Sequence, residues 1–383
     1  MREISFFDLN IVSNKFGQDI SVEFEESGCE DNEKGCLEFS INKNVNLQPS
    51  LFAVALSTLC GRNYGEIKFE FPVSTRKLKE IERFTLANVT SIDAEEDLSG
   101  YKSFFKESLV LNFSGGFDSL SSLFLMPEDT KLCSMDFGGR FGRERSFYER
   151  FDPFIVSSNI IDTGLRKNSW SFMGISSILS SEFYDTKYYS FGSILEASEN
   201  NFGPKPAAAE DIGFPPFAAC NMRNVPYVLG LSEIGTAIII NKNRPDLVDE
   251  SLGSLASEGE LKKVRKNLIL SLVRGQEVTY PNSPPFEYGR FFADDFLFYF
   301  FAKKMGQDVA RFYKNFPPDA LDQIRDLDLS FYEKINPYFY KNMPHSLKFD
   351  FQRKMMSNNL EYYLETDWKS FRRVSELLVS NKI

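Results

Sequence analysis

Six consecutive residues, Ser114-Gly115-Gly116-Phe117-Asp118-Ser119, have the types and spacing to hold an oxyanion. The apolar run Leu109 to Phe113 precedes them, and a helix-like run, Leu120 to Met126, follows. A strand that feeds a Ser/Gly turn and then a helix N-terminus gathers backbone N–H groups at one point. Glycine lets the backbone approach closely, and the helix dipole favours negative charge there. Hydroxyls from Ser114 and Ser119 add donors. The Asp118 carboxylate suits a phosphate site only with a metal ion between the two charges. The alternative is a glycine turn between strand and helix with no ligand.

The elements around this turn read as an α/β domain. Strands are expected at Leu109–Phe113, Lys131–Asp136, Phe154–Ile160 and Lys187–Phe191. Helices are expected at Asp118–Met126, Glu144–Phe151 and Ser169–Tyr184. Repeated βαβ units with short connections predict a doubly wound parallel sheet, with ligands beyond the carboxyl ends of its strands. The 114–119 turn, the stretch 136–143 and the stretch 192–199 would share that edge.

Three segments follow from the pattern: an N-terminal α+β domain over 1–105, the turn-bearing domain over 106–275, and a C-terminal helical region over 276–383. Strands are expected in the first segment at Ile4–Phe7, Ile20–Phe24 and Glu66–Pro72. It should also hold a helix at Leu51–Leu59 and an acidic turn at Cys29–Gly35. Residues 193–225 are rich in Gly, Pro, Ala and Asn and read as a substrate loop or lid carrying Lys205, Glu210, Asp211 and Arg223. Pro226–Ile240 reads as a helix followed by an apolar strand or a buried helix end, and Leu252–Leu272 reads as helical.

Composition narrows the function classes. Across 383 residues, 44 Lys and Arg face 54 Asp and Glu, a net charge of −10. An acidic chain is a poor non-specific binder of nucleic acid. Its densest basic run, Lys262-Lys263-Val264-Arg265-Lys266, reads as a solvated helix face. No apolar run reaches bilayer length, and the first residues do not resemble a signal peptide, so a cytoplasmic location is expected. Five cysteines without a C-x-x-C pair suggest reduced thiols and no disulfide framework, although a Cys29–Cys36 link is sterically conceivable. A single histidine, His345, argues against His-based triads and relays.

No G-x-x-x-x-G-K-[ST] phosphate loop occurs. The turn instead resembles the S-G-G-x-D-S signature of the PP-loop (N-type) ATP pyrophosphatases. A second stretch, Met135-Asp136-Phe137-Gly138-Gly139-Arg140-Phe141-Gly142-Arg143-Glu144, is similar to the F-D-Y-G-Q-R-H-x-x-E element of 7-cyano-7-deazaguanine synthase. Gly139 and Phe141 stand where that family has Gln and His. The strand–Gly–acid element Tyr189 to Ala197 is a weaker likeness. The family's zinc cysteines have no counterpart in Ser254–Leu268, so no zinc is expected. The family lysine after the loop is also missing, with Leu231-Ser232-Glu233 in its place.

The resemblance implies an adenine nucleotide alpha hydrolase-like fold, ATP and Mg²⁺ as cofactors, and adenylation of a carboxylate or carbonyl substrate for attack by a nitrogen nucleophile. Ser114, Gly115, Gly116, Phe117 and Ser119 would hold pyrophosphate, and Asp118 would hold Mg²⁺. Glu196 would be a second acid near the metal or a helix cap. Asp136, with Phe137 beside it, would meet the ribose or organise a Gly turn. Arg140 and Arg143 would bind phosphate or a substrate carboxylate, or pair with Glu144 or Glu149. Lys205 and Arg223 are lid candidates. Two other readings stay open: a nucleotide-binding scaffold without turnover, and a modifier of a protein or glycan partner docked on the terminal segments. A homodimer is compatible with either.

Overall fold

The computed structural model describes residues 2–28, 32–93, 108–210, 214–280 and 283–380. Cys29, Asp211 and the segment boundary at 105 lie outside these residues. The chain is α/β, with a ten-stranded mixed sheet and many helices. It divides into two units: 1–114, 129–190 and 212–225 make up the first, and 115–128, 191–211 and 226–383 the second.

The first unit holds the sheet. In chain order the strands are β1 (Glu3–Ser13), β2 (Gln18–Ser27), β3 (Lys34–Ile41), β4 (Glu66–Phe69), β5 (Asn88–Ser91), β6 (Ser108–Asn112), β7 (Lys131–Asp136), β8 (Phe154–Ser158), β9 (Thr186–Phe191) and β10 (Arg223–Asn224). Their spatial order is β10-β9-β6-β7-β8-β3-β2-β1-β4-β5. The pairs β6–β7, β7–β8, β1–β4, β4–β5 and β9–β10 are parallel, whereas β1–β2, β2–β3 and β3–β8 are antiparallel.

Residue pattern explains the difference. Leu109, Val110 and Leu111 of β6 are all buried, as a strand covered on both faces requires. Along β2, Ile20, Val22 and Phe24 are buried while Asp19 and Glu25 are exposed, the alternation of a sheet with one wet face. The helix Pro49–Cys60 starts with proline in its first turn and is buried from Leu51 to Cys60, as its apolar composition predicts.

The two units group the chain differently from the three consecutive segments expected. The strands of 1–105 continue the sheet, because β3 pairs with β8 through Phe39↔Ser158, Ser40↔Ser157 and Ile41↔Val156. The helix Phe117–Leu125 belongs with helices far along the chain. It packs on Glu233–Asn243 and His345–Ser357, and the Lys354 ammonium bonds to the Met126 carbonyl.

Several elements also depart from expectation. Lys34–Ile41 is a strand that begins inside the expected acidic turn. Only Ile175–Leu179 of Ser169–Tyr184 is α-helical, after a 3-10 turn at Trp170–Gly174. The Ser181 hydroxyl donates back to the Ile178 carbonyl at 2.7 Å, competing with helix continuation. Leu252–Leu272 is divided between helices Val248–Leu255 and Leu261–Arg274. Gly259 takes φ +81° between them, and Glu260 Oε1 accepts from the Ser257 N–H at 2.9 Å. Among the described residues no helix is long and apolar enough to cross a membrane.

Candidate functional site

The 114–119 turn is held from several sides. Upstream, the Phe113 N–H donates to the Cys133 carbonyl at 2.7 Å, and the Phe113 carbonyl accepts from Ser134 Oγ at 2.6 Å. Gly115 takes φ +77°, and its carbonyl accepts from Ser251 Oγ at 2.7 Å. Gly116 stands at the N-cap of helix Phe117–Leu125 in an extended conformation. Ser119 is buried, and its hydroxyl donates to the Gly116 carbonyl at 3.0 Å. Gly192 touches this turn so closely that a Cβ would sit 2.7 Å from the Ser119 nitrogen and 3.0 Å from the Asp118 carbonyl carbon. Only glycine fits there without moving the loop.

Asp118 is the exposed corner of a buried charge cluster, its side chain 30% exposed. Its Oδ1 accepts from Thr236 Oγ1 at 2.9 Å and meets Lys266 Nζ at 3.4 Å. The Lys266 ammonium also pairs with Glu233 Oε1 at 2.5 Å and lies 5.0 Å from the Phe117 ring centroid. Arg265 lies 2.9 Å from Glu233 Oε2 and 2.6 Å from Asp294 Oδ1. Glu196 Oε1 accepts from the Glu233 N–H at 2.7 Å, while Oε2 is buried with no partner among the described residues.

Burial decides how these groups ionise. It pushes the Glu196 carboxyl up to about 8, with the Glu233 charge adding to the rise. Burial also opposes the Glu233 charge, but Lys266 and Arg265 outweigh it and hold Glu233 below its ordinary value. For Lys266, burial favours the neutral amine, yet Asp118 and Glu233 keep the ammonium and raise its pKa. Burial therefore favours the neutral form of Glu196. The carboxylates of Asp118, Glu233 and Asp294 surround the two cations Lys266 and Arg265, and of these five side chains Asp118 is the most open to solvent.

The partly exposed Asp118 carboxylate bears on Mg²⁺. Ions of this kind bind nucleotides through one or two carboxylates plus phosphate and water. Asp118 fits such a role, since only its Oδ1 is engaged within the cluster. Glu196 does not fit, because it is 3% exposed and spends Oε1 on the N-terminus of helix Glu233–Asn243. Among the described residues no group of three or more His, Cys, Asp or Glu side chains could hold a metal.

Lys266 and Arg265 correct the reading of 262–266 as a solvated face. Lys266 is 2% exposed, and the Arg265 side chain is mostly covered. A signal was present: Ile269 and Leu270 stand three and four residues beyond Lys266, on its side of the helix, and both are buried. The stretch Leu231-Ser232-Glu233 also has a role. Ser232 caps helix Glu233–Asn243, accepting from the N–H groups of Ile234 and Gly235, and Glu233 is the counter-ion of Lys266.

In the first unit, Asp136 ends β7 and is 6% exposed. Its Oδ1 accepts from the Gly138 N–H at 2.9 Å, organising the Gly turn. Its Oδ2 accepts from Arg145 Nη1 at 2.8 Å and Ser157 Oγ at 3.1 Å. The arginine on Asp136 is thus Arg145, a residue that no sequence motif singles out. Arg145 also pairs with Glu149 at 2.6 Å. Arg143 is exposed in helix Gly142–Tyr148, and Arg140 occupies the 3-10 turn Gly139–Phe141. The Phe137 ring meets those of Phe141 and Phe172 edge-on, so it is packed into the unit.

The lid candidates Lys205 and Arg223 are exposed, and Arg223 lies in β10. Glu210 bonds to Tyr338 Oη at 2.9 Å and to the Lys341 ammonium. Among the described residues Cys36, Cys60, Cys133 and Cys220 are free thiols. Comparison with protein-family models, curated proteins and solved structures gives no match to this chain.

Proposed function

We propose that the chain is an ATP-dependent adenylating enzyme of the PP-loop type, with a doubly wound, adenine nucleotide alpha hydrolase-like sheet. One observation carries this reading: a buried lysine, Lys266, meets Asp118 in the first turn of the loop helix. A turn that serves only as a connection has no need of a desolvated cation beside a half-open carboxylate. Burying the Lys266 charge is costly, and Glu233 and Asp118 offset that cost.

In this reading the substrate oxygen attacks the α-phosphorus of ATP, and the bond from that phosphorus to the bridging oxygen of pyrophosphate breaks. A nitrogen nucleophile then attacks the activated carbon, AMP leaves with the bonding pair, and the nitrogen gives its proton to solvent. The chain supplies position and charge. The backbone at Gly115, Gly116 and Phe117 and the Ser114 hydroxyl would hold the pyrophosphate oxygens at the helix N-terminus. The Lys266 ammonium would lie behind them, aligned by Glu233 and Thr236 through Asp118. Mg²⁺ held by Asp118 would neutralise phosphate charge when bound.

A scaffold that binds nucleotide without turnover is the second reading. It is favoured by Lys266 being already paired with Glu233 and by the Ser119 hydroxyl being spent on Gly116. Pyrophosphate release from ATP, assayed with cell-extract metabolites as substrates, separates the two. Adenylation predicts release that falls at least 100-fold in Asp118→Ala while the circular dichroism spectrum is unchanged. ATP binding by the wild type without release favours the scaffold.

A further inference from the structure

The first unit contains a cavity of about 650 Å³, lined in part by Asp136 and Phe137, which the proposed pyrophosphate and Mg²⁺ contacts do not involve. It lies over β1, β2, β3 and β8, on the wet face of the antiparallel part of the sheet. Cross-strand register builds its floor. Asp19 pairs with Ser40, Ser40 with Ser157, and Ser157 with Asp136, so one polar row crosses four strands on a single face. Ile20, Phe39 and Val156 alternate with these residues and are buried. The floor is therefore fixed by the core beneath it and cannot turn over without losing that packing.

One end of the row is rigid. Asp136 is 6% exposed and is fastened by Gly138, Arg145 and Ser157. The glycine turn at its side, Gly138 and Gly139, leaves open space where Cβ atoms would otherwise point. Glu38 and Asp162 complete the walls. Among the described lining residues, the carboxylates of Asp19, Glu38, Asp136 and Asp162 outnumber the one cation, Arg145, whose charge is shared between Asp136 and Glu149. Among the described residues, nothing bonds to the carboxylates of Glu38 and Asp162. A volume in the range of small-molecule sites, a fixed polar floor and uncommitted acceptors on one side together define a ligand class.

We propose that this cavity binds a small cationic ligand bearing an amine or guanidinium group, with Glu38 and Asp162 contacting the cation and the Asp136–Arg145–Ser157 group holding the floor. A hollow of about 210 Å³ shares Ser40, Arg145 and Ser157 with the cavity.

The probes are agmatine and spermidine, with succinate as the anionic control, titrated into the full chain by calorimetry without ATP. Saturable one-site binding of at least one cation is expected, with none of succinate. The double variant Glu38→Gln with Asp162→Asn should weaken it at least tenfold, and 0.5 M NaCl should weaken it further. Both substitutions fall on exposed side chains, so folding is retained, and a thermal melt checks this. No saturable binding of either cation overturns the proposal, as does binding that the double variant leaves unchanged. Asp118→Ala should bind the cations like the wild type. A failure of the ATP reading therefore leaves this result intact, and the reverse also holds.

Discussion

Replacing Glu196 by glutamine removes one titrating proton while keeping the shape of the side chain. The amide oxygen still accepts from the Glu233 N–H, as Oε1 does at 2.7 Å. In the folded chain burial and Glu233 push the Glu196 carboxyl from 4.5 to about 8. The folded pKa is raised. The stability conferred by the bound proton is therefore complete below pH 4.5 and is lost as pH climbs towards 8. Each unit of pH in that window costs about 1.4 kcal/mol. At pH 7 the wild type should thus be less stable than Glu196→Gln by up to about 3 kcal/mol, and at pH 4 the two should be equal. Water entering the cluster would reduce the difference without reversing it. Urea unfolding of both proteins from pH 4 to 8.5 measures the gap, and the ¹³C carboxyl shift of Glu196 reports its titration directly. A gap that stays constant across this range, or a wild type that is the more stable at pH 7, refutes the neutral buried acid.

Two further substitutions test the cluster. Lys266→Met leaves Glu233 buried with Arg265 as its remaining cation in the cluster and should cost about 3–5 kcal/mol in urea unfolding. Adding Glu233→Gln should recover most of that loss, while pyrophosphate release stays abolished, which separates charge balance from chemistry. Gly192→Ala drives a Cβ to 2.7 Å from the Ser119 nitrogen. It should cost about 1–3 kcal/mol by calorimetry and weaken ATP binding at least tenfold as the loop shifts. Normal stability and affinity in that variant would mean the turn is looser than its packing indicates.

Local pattern makes part of this molecule legible. The alternation along Ile20–Phe24 and the apolar run Leu109–Leu111 are strands because each matches a burial that its own residues specify. The Gly turn that ends β7 is legible as one option for Asp136, and the structure realises it through Gly138. What escapes depends on distant partners. Nothing local to Phe39 or Ile41 says that β3 joins β8, so the N-terminal strands read as a separate domain. Lys266 reads as solvated because charge runs usually are, and its burial rests on the distant partners Glu233 and Asp118. Arg145 does not stand out beside Arg143, because only the helical turn from Gly142 to Tyr148 brings Arg145 to Asp136. Glu196 is visible as an acid after β9, but its raised pKa follows from burial and the nearby Glu233 charge, which no spacing shows.

Calorimetric titration of ATP with Mg²⁺ into the wild type and Asp118→Ala tests most directly whether the 114–119 turn and its Asp118–Lys266 pair form a working ATP site. Saturable binding to the wild type is predicted, requiring Mg²⁺ and weakening at least tenfold in the variant. Equal binding by both proteins, or none by the wild type, would contradict a working site.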